Sequence, residues 1–164
     1  MSKIKINIPA FEYFFKLIGI NTPLKAYRVS YIINSALDID LVKTDDIKID
    51  IRKKKEKHSF ELLKDEKSEV KYFLFNNKTI GKELFRTYKG FDFVLLVKFH
   101  KEINFVDDIV KKLKEPKKFK IVLNSSNIKK IDENYIKKEF LYKNIEKKVD
   151  IKLKTKNTHE NSKQ

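Results

Sequence analysis

The chain has 164 residues, 41% hydrophobic and 12% aromatic, which is enough apolar material for one buried core. It has no cysteine, which excludes a disulfide framework and any thiolate metal or redox site, and too few glycines and prolines for a linker or low-complexity chain. The net charge is +15, carried by 35 lysines against three arginines, and no apolar run reaches the ~18 residues of a membrane span.

Ile4, Ile6 and Ile8 alternate with Lys3, Lys5 and Asn7, the period of two that predicts an opening strand. The same segment lacks the continuous apolar stretch and small-residue cleavage site of a signal peptide, so a cytoplasmic location is expected. Residues 11–20 form a second extended piece ending at the turn Asn21-Thr22-Pro23. Thr22 is placed as the N-cap, and Pro23 as the first residue, of a helix running to about Leu37. Leu24, Tyr27 and Tyr31 recur at helical spacing, and so do Val29, Ile32, Ile33, Ala36 and Leu37. That arc is wide, so the helix is expected to be largely buried.

Ile47, Ile49 and Ile51 then alternate with Lys48, Asp50 and Arg52. Phe60 and Leu62 follow a charged turn, and Val70, Tyr72 and Leu74 alternate with Lys71, Phe73 and Phe75. Short connections make an antiparallel meander the economical reading. Residues 76–82 read as a polar loop and 83–90 are ambiguous. Residues 91–99 read as a central strand, because Val94, Leu95, Leu96 and Val97 leave neither face polar. A second helix is placed from Asn104, with Asp107 closing an approximate capping box. Asp107 and Asp108 in its first turn, and Lys111, Lys112 and Lys114 in its last, suit the helix dipole. Phe119, Ile121 and Leu123 alternate as a strand, joined to residues 91–99 by a crossover that suits a parallel unit. A helical pattern follows at Ile128, Ile131, Tyr135 and Ile136. The expected fold is α+β: a mainly antiparallel sheet of about six strands with two or three helices packed on it. It is expected as a single domain over residues 1–136, with residues 137–164 a basic C-terminal extension ending in disorder.

The run Phe15-Lys16-Leu17-Ile18-Gly19-Ile20, the step Ala26-Tyr27-Arg28-Val29 and the stretch Ala36-Leu37-Asp38-Ile39-Asp40-Leu41-Val42 carry a resemblance. Together they resemble the start of a bacterial family known by its IPExxxVDY motif. The naming motif falls on residues 85–93, where Phe85 stands for Ile and Phe91-Asp92-Phe93 for Val-Asp-Tyr, while Arg86 and Thr87 replace the Pro and Glu. The resemblance runs from about Ile4 to Ile136 and brings no activity, cofactor or partner with it.

The residues themselves point away from most enzymes. His58, His100 and His159 have no metal-ligand spacing, and Gly19, Gly81 and Gly90 are too far apart for a phosphate loop. The pair Asp107-Asp108 has a sufficient role at a helix start, and Asp45-Asp46 is read as a turn cap. No catalytic, cofactor-binding or metal-binding residue is assigned. Tyr27, Arg28 and Asp92 are the candidate binding residues. Arg28 lies on a helix with apolar neighbours and Asp92 inside an apolar strand, so they form a structural ion pair or a cap, or else a ligand-facing pair.

The expected function is a non-enzymatic intracellular binding or adaptor module whose partner, protein or RNA, the sequence does not identify, with a small-molecule enzyme as the third reading. The alternative is an RNA- or ribosome-associated protein binding through its C-terminal third, where 17 lysines against seven acids carry +10 of the +15. The polyanion candidates are Arg52, Lys53, Lys54 and Lys55 on a hairpin turn, and Lys147 and Lys148 in the extension. The scarcity of arginine, whose planar fork suits base and phosphate reading, weighs against that alternative. Abundant Lys, Ile, Asn, Phe and Tyr also follow from AT-rich codons alone. The faces of Tyr72 and of Phe73 and Phe75 decide whether the sheet offers a stacking platform for RNA.

Overall fold

The computed structural model describes residues 14–51, 56–67, 69–100 and 105–142. They fall into two compact units, one ending at Ser126 and the other starting at Asn127. The expected opening strand at Ile4, Ile6 and Ile8 lies outside the described residues.

The first unit is an α+β fold around a six-stranded sheet. Its elements run β1 (Phe14–Asn21), α1 (Ala26–Leu37), β2 (Val42–Lys43), β3 (Ile47–Ile51), β4 (Glu56–Phe60), β5 (Leu62–Asp65) and β6 (Lys71–Asn76). Then come β7 (Lys78–Thr79), β8 (Lys82–Glu83), a 3₁₀ turn (Arg86–Tyr88), β9 (Phe93–Phe99), α2 (Val106–Lys114) and β10 (Ile121–Asn124). The sheet order is β10-β1-β9-β6-β5-β2, with every neighbouring pair antiparallel. β9 and β10 therefore run in the same direction with β1 filling the gap between them. The β9-α2-β10 crossover is thus a split unit, in which β1 separates the two parallel strands.

The meander is more broken than expected. β3 pairs with β4 in a separate ribbon, while β5 turns into the main sheet between β2 and β6. Residues 44–46 on one strand oppose 61–62 on the other, so an extra residue bends the ladder there. Hydrogen bonds from Lys43 Nζ and the Ser59 hydroxyl reach the two carboxylate oxygens of Asp46, both at 3.0 Å, and hold it below the usual carboxylate range. Asp46 thereby fixes the bend. The loop expected at residues 76–82 contains the β7–β8 hairpin, whose two-residue turn places Gly81 at φ +72°, a conformation glycine adopts freely.

α1 begins at Ala26 rather than Pro23. The Thr22 hydroxyl accepts the Leu24 N–H at 3.3 Å and closes a turn, and Lys25 occupies the N-cap with no side-chain cap. The helix buries Ala26, Val29, Ser30 and Ile33, and leaves Tyr27, Arg28 and Tyr31 exposed, so it is half buried and not largely buried. It ends as expected at Leu37, where Asp38 takes the left-handed conformation at φ 54°. The expected Asn104 cap lies outside the described residues, and Phe105 holds the N-cap position of α2. Its charges sit as the dipole favours.

Strand alternation sorts the core into two layers. Ile18 and Ile20 of β1, Leu95 and Val97 of β9, Leu74 of β6 and Val122 of β10 share one cluster with Val29 and Ile33 of α1 and Ile109 and Leu113 of α2. On the opposite face Leu17, Val94, Leu96 and Phe75 are also buried. The segment after β6 covers part of that face: Phe85 packs edge-on against Phe75 at 5.1 Å, and the Tyr88 ring lies over Gly19. All seven residues of β9 are buried, which accounts for the missing polar face in its sequence.

Within the second unit, α3 (Lys130–Ile136) continues into a π-helical segment (Lys137–Tyr142). Glu133 receives Lys137 at 2.6 Å and Lys130 at 3.4 Å, and Tyr135 meets Phe140 edge-on at 6.1 Å. Among the described residues no helix is long and apolar enough to cross a membrane.

Two outcomes follow from these contacts. Asp65 is buried at the end of β5, which alone would raise its pKa. The N–H groups of Lys67 and Asp40, donating at 3.0 and 2.7 Å, and the Lys67 charge outweigh that and lower it. A lowered folded pKa stabilises the protein above the unfolded value of about 3.9, and the contribution is lost as pH falls through the folded value. Urea midpoints measured from neutral to acid pH should therefore fall less steeply in Asp65→Asn than in the wild type. Gly19→Ala puts a β-carbon within 2.6 Å of the Tyr88 ring and 2.8 Å of Phe91. It should cost about 1–3 kcal/mol by overpacking, read as a lower denaturation midpoint at unchanged slope.

Candidate functional site

The position of Asp92 organises one end of the sheet. Its main-chain N–H donates to the Ile20 carbonyl at 3.2 Å and its carbonyl accepts the Asn77 N–H at 2.8 Å, so it sits fixed at the mouth of β9. One carboxylate oxygen accepts the Thr22 N–H at 2.9 Å and the other accepts Lys78 Nζ at 3.0 Å. Asp92 thus joins the turn before α1 to the β7–β8 hairpin. Between these walls lies a cleft of about 540 Å³, lined by residues 22–27 with Glu61, Asn76, Lys78, Asp92 and Phe93.

Tyr27 stands on the wall of this cleft with 65% of its surface exposed. Tyr31, one helical turn further on, is 72% exposed. Lys25 and Lys78 supply positive charge to the cleft, and Asp92 and Glu61 negative charge. Glu61 is already engaged by Lys43 at 2.6 Å.

The expected Arg28–Asp92 pair does not form. Arg28 is exposed and makes no ion pair among the described residues, while Asp92 is taken by Lys78 and Thr22. The helix register explains this: the buried arc runs through Ala26, Val29, Ser30 and Ile33, and position 28 falls on the solvent side. Asp92 also precedes β9 and does not lie within it. Of the three expected binding residues, the cleft brings Tyr27 and Asp92 together and leaves Arg28 outside. The polyanion candidates Arg52, Lys53, Lys54, Lys55, Lys147 and Lys148 lie outside the described residues.

Tyr72, Phe73 and Phe75 are all buried, although they point to opposite faces. None of them presents a ring on which a base can stack. Among the described residues no group of three or more His, Asp or Glu side chains is placed to hold a metal ion.

A second concavity of about 430 Å³ escaped the sequence reading. It is lined by Lys78, Thr79, Gly81, Lys82, Glu83, Arg86 and Lys89. The cations recur every three or four residues, a spacing that suggests one face of a helix. In the fold they are gathered instead by a hairpin and a 3₁₀ turn. Glu83 is the one carboxylate among the lining residues, and one of its oxygens accepts the Gly90 N–H at 2.8 Å.

No family model matches the chain, and no curated protein matches it by sequence. The resemblance to the IPExxxVDY family therefore rests on the residues quoted for it.

Arg28→Ala and Asp92→Ala should be additive in a double-mutant cycle, since no contact links them. Asp92→Ala should cost about 1–3 kcal/mol, because it leaves the Thr22 N–H without its acceptor. Arg28→Ala should stay within about 0.5 kcal/mol of the wild type in the same urea titrations.

Proposed function

We propose that the chain is a non-enzymatic cytoplasmic binding or adaptor module that holds a protein partner at the Tyr27–Tyr31 face of α1 and the adjoining cleft. The observation that carries this reading is the exposure of two tyrosines on successive turns beside a concavity walled by both signs of charge. Tyrosine is favoured at protein interfaces because it adds large contact area with a polar tip and loses little conformational freedom. The surrounding charges would then select the partner more than they strengthen its binding.

The burial of Tyr72, Phe73 and Phe75 supports this reading over an RNA-stacking sheet. The +10 charge of the last third supports the second reading, an RNA- or ribosome-associated protein. The two differ in salt dependence: phosphate contacts weaken steeply as salt rises, whereas an aromatic interface does not.

Native co-purification with and without nuclease separates them. The expected outcome is a protein that survives nuclease and high salt with the wild-type chain and is lost with Tyr27→Ala/Tyr31→Ala. Anchor residues of this kind contribute about 2 kcal/mol or more each, so the double variant should release the partner almost completely. Release on nuclease treatment, with the tyrosine variant behaving like the wild type, would replace this reading by the second.

A further inference from the structure

The second concavity carries an inference independent of the tyrosine face. We propose that the surface formed by Lys78, Lys82, Arg86 and Lys89 binds a small, multiply charged phosphate anion, of which a short inorganic polyphosphate is the simplest form.

Four cationic side chains line one depression of about 430 Å³, a size that suits a small ligand and not a flat contact. The Glu83 carboxylate, the one acidic group in the lining, is tied to the Gly90 N–H, and Lys78 is shared with Asp92. The lining itself carries four cationic side chains against one carboxylate. Cations gathered in a concave wall concentrate anions there, because the low-dielectric protein behind them focuses the field. Arg86 adds a planar fork that matches phosphate oxygens, and the lysines add point charges.

The framework beneath these side chains is fixed, which a patch of solvated lysines on a loose loop lacks. Asn77 is fully buried: its amide donates to the Tyr88 and Phe91 carbonyls at 3.0 and 3.2 Å, and its oxygen accepts the Phe85 N–H at 2.8 Å. Phe85 and Tyr88, on either side of the exposed Arg86, are buried in the core. The backbone that carries Arg86 and Lys89 is therefore held before any ligand arrives, which lowers the ordering cost of binding. Phosphate chemistry is shared by free anions and lipid headgroups. The concave shape favours the free anion.

Calorimetric titration of the full chain with sodium tripolyphosphate at physiological ionic strength tests this. Saturable one-to-one binding is expected, weakened about tenfold or more in Lys82→Glu/Arg86→Glu. Lys111→Glu/Lys112→Glu on the exposed surface of α2 makes the same charge change elsewhere and should weaken it by less than about twofold. Thermal unfolding checks that each variant folds; should the first pair fail to fold, Lys89→Glu alone is expected to weaken binding in the same direction. No binding by the wild type, or equal weakening by the two pairs, would overturn the site. Sedimentation with phosphatidylglycerol vesicles but not with pure phosphatidylcholine, without heat from tripolyphosphate, would overturn the free-anion assignment.

Discussion

A single buried amide side chain holds together the part of the molecule on which both concavities depend. Asn77 follows the last residue of β6, fully removed from solvent. Its side chain makes three hydrogen bonds and its main chain two more, to Asp92 and Leu84. A buried amide with unmet donors costs about 1–3 kcal/mol per group, so this arrangement is stable only if residues 84–92 fold back over it. That return brings Phe85 onto Phe75 and Tyr88 onto Gly19. The Tyr88 hydroxyl then donates to the Leu17 carbonyl and accepts the Ser125 N–H at 3.0 Å, which ties β1 to the end of β10. The glycine in β1, the amide after β6 and the tyrosine in the 3₁₀ turn form one unit, although they lie up to 69 residues apart in the chain.

The same return sets the geometry of the surface. It places Asp92 where the Thr22 N–H and Lys78 both reach it, which defines the mouth of the first cleft. It also places Arg86 and Lys89 in the concavity that Lys78 and Lys82 of the β7–β8 hairpin line. A short segment with little regular structure thus organises more of the surface than either helix does. Its path is held by satisfied polar groups and aromatic packing, since its secondary structure is limited to a three-residue 3₁₀ turn.

The longer strands and the helices of the first unit were legible because their signals are local, whereas the two-residue β2 and the break between β4 and β5 were not. The β9 segment announced itself through Val94 to Val97, and α1 ended where apolar spacing gave way to Asp38. The start of α1 was misread because Thr22-Pro23 is a good helix-opening pair by its own chemistry, and nothing local shows that Asp92, 70 residues on, holds the Thr22 N–H in a turn. Tyr27, Arg28 and Tyr31 lie on the solvent side because the arc through Ala26, Val29, Ser30 and Ile33 faces the core. The pairing of Arg28 with Asp92 failed because it assumed that a charge among apolar letters is buried, whereas helix register decides which letters face inward. The second concavity was illegible because residues 77–92 have no period, and long-range hydrogen bonds fix their path.

Charge and stability are separated in this molecule. The chain carries 38 basic residues and 23 acidic ones, so cations outnumber anions by 15 however they are arranged. Among the described residues, ion pairs such as Lys67–Asp40 at 2.6 Å and Lys43–Glu61 at 2.6 Å are partly or largely solvent-exposed. Exposed pairs contribute about 0–1 kcal/mol each and weaken with salt, which is too little to account for the fold. The core is held by apolar burial on both faces of the sheet, where fully buried Leu, Ile, Val and Phe side chains contribute about 1.5–3 kcal/mol each. Surface lysines can therefore change with little effect on stability. A cluster of them that matters for recognition is then distinguished by the rigidity of the backbone beneath it and not by the number of charges. Residues 85–89 meet that condition because Phe85 and Tyr88 are buried and Asn77 holds the Phe85 N–H and the Tyr88 carbonyl.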